Sequence, residues 1–403
     1  MTVAVAPSFV EREETSSKPV LVVTMCALMQ GIGGGLGWSS MPALMPSIAK
    51  DLGLGHAASG FVFGAASLGI AIASPVGGAA VDRFGARRTA GFAMLAGALA
   101  CAARALGTGT WTLAFAMLLF GLHIGFTAPA IPKALAAHLP LTKVARANGL
   151  ALLAYTMGTA ATMRFGRTVL LPAFGSWQAV MIAAAGAMGV AGALWLLLVR
   201  DGTSVVRHAK VTDALKMITD GQVRRVAAMH FLVFGGYLAL LSLLPRALSE
   251  TGMAPAAVGT AILTWLFVAG IANFCGPWLS DVIARRKPIF VGGAVVAALA
   301  LGAVAAATVI SPSKLPIFLA IAAIGGGSFA PLLLTLPLEL PSVGPAKAGA
   351  ALGLLMLVGQ VGGFLLPVVS GAIAQTSGSA AAIAALAFMH LLVVIPALGL
   401  KAR

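Results

Sequence analysis

Arg164 and Arg167 lie three residues apart inside an apolar stretch, a spacing that puts both guanidinium groups on one face of a helix. An ionised group there costs several kcal/mol unless water, backbone carbonyls, a partner or an anionic solute neutralises it. All eleven acidic residues fall in polar gaps or at their edges, so no carboxylate is available inside the apolar stretches. The pair therefore points to anion attraction at Arg164, while Arg167, nearer an interface, snorkels. His123, His230 and His390 stand singly within apolar stretches, where a histidine is either a proton relay or a hydrogen-bonded packing residue. His390 reads as packing. Gln30, Trp38, Ser39, Tyr237, Ser328 and Gln360 can each contact a solute or satisfy an interhelical hydrogen bond. Lys133, near the end of its stretch, reads as an interface anchor.

Other chemistries find no support in the residues. The run Gly31 to Ser40 contains a dinucleotide-type glycine pattern, but without a preceding strand it implies no nucleotide cofactor; the glycines serve close packing and bending. No His/Asp/Glu cluster and no activated serine or cysteine occurs in the stretches, so no metal, cofactor or enzymatic activity is expected. Cys26, Cys101 and Cys275 lack any CxxC spacing and read as buried, inert thiols.

The elements that must position these residues follow from composition. Of 403 residues, 60% are hydrophobic and 9% charged, with a mean hydropathy of +1.00, against roughly 25% charged in soluble domains. Such a chain cannot cover a water-facing surface, so an all-α membrane protein is expected. The net charge of +15 does not indicate nucleic acid, because the basic residues punctuate lipid-length segments instead of gathering on one soluble face. Runs long enough to cross the bilayer predict helices over 20–46, 59–81, 88–107, 111–137, 145–171 and 177–199, then 224–247, 256–280, 288–310, 315–338, 346–374 and 379–400. The expected organisation is a cytoplasmic tail over 1–19, a six-helix half over 20–199, a cytoplasmic linker over 200–223 and a second half over 224–403. Most Lys and Arg fall on the side of the N-terminus; Lys50, Arg104, Arg164, Arg167, Arg246 and Lys314 fall elsewhere. This places both termini in the cytoplasm, in a bacterial inner (plasma) membrane.

The two halves repeat. Gly77, Asp82 and Arg87 recur as Gly276, Asp281 and Arg286, each 199 residues on, which signals duplication of a six-helix unit. The segment Gly77 to Arg88, with Asp82, Arg83 and Arg87, closely resembles the signature loop of the major facilitator superfamily, and the copy from Gly276 to Lys287 extends the resemblance over the whole chain. The resemblance implies two halves rocking around a midplane site, a monomer, and a cytoplasmic latch built from Gly77, Asp82, Arg83, Arg87, Gly276, Asp281 and Arg286. It also puts His123 on a cavity-lining helix. The stretch from Gly121 to Lys133 resembles the cyanate and nitrate/nitrite-type branch, which handles small anions. Met117 stands where many proton-coupled members carry an arginine, and the second and eighth spans lack the buried arginines of nitrate carriers. The reading is a transporter of a small solute, an anion by preference. The competing readings are an exporter of hydrophobic or cationic compounds, whose expected buried acid is missing, and a non-transporting receptor on the same scaffold.

Overall fold

In lipid every backbone N–H and C=O must be satisfied within its own segment, and for apolar runs of this length the helix is the solution. The computed structural model describes residues 18–200, 215–340 and 343–401; the expected tail and most of the expected linker lie outside the described residues. Among those described, the chain is helical apart from short connections, with no strand. Nine helical stretches among the described residues are long and apolar enough to cross a membrane. Two of them, His56–Arg104 and Gly344–Leu392, break at Gly85 (φ 83°, ψ 162°) and Gly378 (φ 86°, ψ 162°). With the less apolar, arginine-bearing helix over 141–174, the described residues form twelve segments, the all-α architecture of two six-helix halves.

We number them α1 (Pro19–Leu52), α2 (56–84), α3 (86–104), α4 (Thr110–His138), α5 (141–174), α6 (Trp177–Leu198), α7 (Gly221–Glu250), α8 (Pro255–Val282), α9 (Lys287–Ile310), α10 (Leu315–Glu339), α11 (344–377) and α12 (379–398). The helix α1 runs past its expected end at 46, because Pro42 and Pro46 are accommodated and left-handed Gly53 (φ 64°) provides the stop. The reversal at Gly85 lets α2 and α3 pack on the same part of α4. Gly69 and Gly77 of α2 meet residues 118–126, while Gly97 of α3 meets the His123 ring.

The backbone at Gly85 occupies a region essentially reserved for glycine, so Gly85→Ala is expected to cost about 1–3 kcal/mol. Its counterpart 199 residues on is Ala284, which also has positive φ (51°). There the swap runs the other way: Ala284→Gly relieves left-handed strain and is expected to stabilise by about 1 kcal/mol. Thermal unfolding of the detergent-purified variants measures both; an unchanged midpoint for Gly85→Ala contradicts the first expectation.

At Gly77 and Gly276 the need is close approach. An added Cβ would collide with the carbonyl oxygen of Gly125 in the first case and of Ser328 in the second, so the two copies make equivalent backbone crossings, α2 on α4 and α8 on α10. Burial corrects one expectation from sequence: Cys26 and Cys101 are buried, but Cys275 is exposed on the surface of α8. An apolar neighbourhood in sequence does not say which face of a helix meets lipid.

Candidate substrate cavity

The segment Gln30–Trp38 of α1 widens into a π-helix, a departure frequent at functional sites and permitted here by five glycines. Gly35 packs on the backbone of Gly158 in α5. The ends of this segment, Gln30 and Trp38, face a cavity of about 210 Å³ between the first and second halves. Its other polar lining groups are His123 and Thr127 of α4, Tyr155 of α5, Tyr237 of α7 and Gln360 of α11; among the described residues no Asp, Glu, Lys or Arg lines it. Tyr155 and Tyr237 are the chain's two tyrosines, and the Tyr155 hydroxyl lies beside those of Tyr237 and Thr159. One comes from each half, and Tyr237 also packs 5.5 Å from the Trp265 ring.

Two lining groups have buried polar atoms with no partner among the described residues, Trp38 Nε1 and Gln360 Oε1. Buried polar atoms left unpaired are costly, and a solute is one way to satisfy them. The buried His123 ring has Nδ1 2.5 Å from the Phe120 carbonyl oxygen and meets the Phe120 ring edge-on at 4.4 Å. With Nδ1–H donating to that carbonyl, Nε2 is the acceptor left for the cavity side. The other two in-span histidines are buried elsewhere, His230 stacked on Phe234 and His390 bonded through Nδ1 to the Leu386 carbonyl at 2.9 Å.

Five residues singled out from sequence therefore meet around one space: Gln30, Trp38, His123, Tyr237 and Gln360. Three do not line it. Ser39 is fully buried one position beyond Trp38. Ser328 donates to the Gly325 carbonyl at 2.8 Å within the packing of α8, α9 and α10. Arg164 contacts Thr168 Oγ1 at 3.4 Å and lies over the Phe165 ring at 5.2 Å. Arg167 donates to Ser249 Oγ of α7 at 2.7 Å. Thr127 and Tyr155 were missed from sequence, although a tyrosine midway along an apolar stretch is itself a signal.

One end of the cavity is shut by groups from both halves. Glu250, at the end of α7, holds His56 Nε2 at 2.8 Å and Ser379 Oγ at 2.7 Å. Arg246 donates to Glu250 at 3.2 Å and to the Leu54 carbonyl at 2.8 Å, and the His56 amide donates to Gln375 Oε1 at 2.7 Å. Beneath this clasp a Cβ on Gly60 would strike the Pro367 carbonyl oxygen, and one on Gly371 would meet the carbonyl of His56.

The profile of the Major Facilitator Superfamily matches residues 23–246. The chain belongs to that superfamily. It is a transporter by this membership, and an integral membrane protein. It is similar to the probable nitrate/nitrite transporter NarK2 of Mycobacterium tuberculosis (strain ATCC 25618 / H37Rv), 27% identical over 353 residues covering 83% of this chain and 84% of that one. It is also similar to the hexuronate transporter of Bacillus subtilis (strain 168), 33% identical over 133 residues, where the match spans 33% of this chain and 32% of that protein. Among solved structures, a bacterial homolog of the human lysosomal transporter Spinster, inward-facing and occupied, superposes with a TM-score of 0.79 at 14% identity over 95% of this chain and 97% of that one. A D-xylose-proton symporter does so with a TM-score of 0.74 at 14% identity over 94% and 97%.

The superfamily loops lie at the end opposite the clasp. Asp82 is ion-paired with Lys133 of α4, so this lysine has a carboxylate partner where an interface anchor was expected. Arg87 donates from Nε to the Leu196 carbonyl at 2.9 Å, and Trp195 Nε1 donates back to the Arg87 carbonyl at 3.0 Å. Arg83 lies over the Phe84 ring at 5.2 Å. In the second copy Arg286 binds Asp281 at 2.5 Å, Glu339 at 2.8 Å and Ser280 at 3.0 Å. The hydrogen bonds that Arg286 donates to Glu339, with Asp281 beside them, raise the pKa of its guanidinium above the ordinary value.

Proposed function

We propose that this transporter carries a small anion across a bacterial inner membrane by exposing its central cavity alternately to the two ends, with both termini cytoplasmic. The observation that carries the reading is the cavity of about 210 Å³ at the seam of the halves, lined by hydrogen-bonding neutral groups and by no carboxylate. A cation or a basic drug would lack a counter-charge there, whereas an anion finds indole, phenol, hydroxyl and amide donors. The similarity to a nitrate/nitrite transporter over most of the chain supports the same class. Gln30, Trp38, His123, Tyr237 and Gln360 contact the solute in this reading, joined by Thr127 and Tyr155. Arg164, Ser39 and Ser328 are assigned to packing. The loops around Asp82 and Asp281 govern the end opposite the Glu250 clasp, which on the distribution of Lys and Arg is cytoplasmic.

The test is thermal stabilisation of detergent-purified protein across nitrate, glucuronate, organic cations and hydrophobic drugs, since a ligand held only by the folded state stabilises it by about 2.7 kcal/mol at one hundred times its Kd. Stabilisation by an anion is expected, retained in Arg164→Ala and weakened about tenfold in affinity in Trp38→Phe, the loss of one indole donor in a desolvated site. Stabilisation by cations or drugs alone overturns the reading.

A further inference from the structure

Arg104, at the end of α3, is wholly buried, and it was not among the residues the sequence marked for chemistry. Its Nη1 donates to the Gly37 carbonyl oxygen at 2.7 Å, within the π-helical segment of α1. Its guanidinium lies 3.8 Å over the centre of the Phe120 ring. Among the described residues Nε and Nη2 have no hydrogen-bond partner and no carboxylate pairs with the guanidinium. A buried guanidinium held by one carbonyl and one aromatic face is incompletely compensated, and in a membrane protein such a charge is expensive to keep. The ring it covers meets His123 edge-on at 4.4 Å, and His123 lines the cavity. The cavity wall that carries no charge of its own thus has a permanent positive charge one aromatic ring behind it.

We propose that Arg104 sets the charge preference of the transporter, biasing the cavity toward negative solutes through its field without touching them. The inference rests on the anion reading above and supplies the cation that the lining lacks. A guanidinium does not lose its proton in proteins. Buried away from salt, its potential is screened far less than that of a surface charge. Through Gly37 the same side chain holds the π-helical segment whose ends are Gln30 and Trp38, so it is also a positioning residue, and the two roles must be separated by experiment.

Nitrate and glucuronate are the probes, titrated by thermal shift against wild type, Arg104→Gln and Arg104→Lys. Glutamine keeps a donor for Gly37 and loses the charge; lysine keeps the charge and loses the fork. Expected is an apparent Kd raised about tenfold or more in Arg104→Gln, equivalent to about 1.4 kcal/mol, and held to within roughly threefold in Arg104→Lys by the retained charge. If the glutamine variant does not fold, Arg104→Met serves as the uncharged form, since an apolar chain of similar size replaces a buried charge with little loss of stability. Unchanged affinity in the uncharged variant overturns the proposal, as does an equal loss in both variants, which would assign Arg104 to holding α1 alone. A wild type that binds neither anion overturns the anion reading itself, and is distinguishable because it appears before any variant is compared.

Discussion

Gly60→Leu is expected to reduce solute flux by about 100-fold or more while the protein still inserts and purifies, the consequence of penalising one of two conformations by roughly 3 kcal/mol. Gly60 approaches the Pro367 carbonyl so closely that even a Cβ would collide with it, and a backbone oxygen in a helix cannot swing aside as a side chain can. The collision exists only while α2 and α11 are together at the Glu250 end. In a carrier that must close this end once per cycle, the substitution traps the opposite arrangement. The measurement pairs flux in liposomes with the reactivity of a cysteine introduced at Ser242, a buried residue that lines the clasp, toward a membrane-impermeant thiol reagent. Lost flux with raised labelling is the expected pair; normal flux would show that α2 and α11 need not approach this closely during transport.

The second large effect is expected at Glu250. Glu250→Ala removes at once the acceptor of His56, Arg246 and Ser379; the Arg246 contact lies within α7, while the other two tie the start of α2 and the α11–α12 turn to α7. Charge-assisted hydrogen bonds are worth up to about 1.5–3 kcal/mol each when sheltered, but the Glu250 side chain is 43% exposed, so solvent screening reduces their sum to about 1–2 kcal/mol. That predicts labelling at Ser242→Cys faster by about tenfold than in the same cysteine variant with Glu250 intact. Glu250→Gln, whose one carbonyl oxygen can still accept from His56 and Arg246 while its amide donates to the Ser379 hydroxyl oxygen, should fall between. Equal labelling in all three would mean that apolar packing around Gly60 closes the end without help from the polar clasp.

Both predictions concern residues that local sequence does not mark. His56 and Glu250 are 194 residues apart, each reading as an ordinary polar residue between apolar runs; only the meeting of the halves makes them a pair. The same holds for the cavity. Tyr155 and Tyr237 each stand out within an apolar run, but nothing local says that the two meet, and Trp38 and Ser39 are neighbours of which only Trp38 lines the space. For an arginine the decision is sharper. Arg164 and Arg104 both interrupt apolar stretches, yet the first reaches Thr168 on its own helix while the second is sealed behind Phe120 and His123.

The sequence by itself determined the fold class, the twelve-segment pattern, the repeated loops and the superfamily, because these depend on quantities local to the chain: run length against bilayer thickness, positive charge in the loops, and glycine and aspartate at fixed spacing. Five of the eight solute-contact candidates also meet at one cavity, since a polar side chain inside a lipid-length run has few other places to go. What only the tertiary structure decided is direction: which face of each helix meets lipid, its neighbours or the cavity. In a membrane helix apolar residues cover every face, so no hydrophobic stripe records the orientation, and Cys275, Arg164 and Arg104 found their surroundings only when the helices packed.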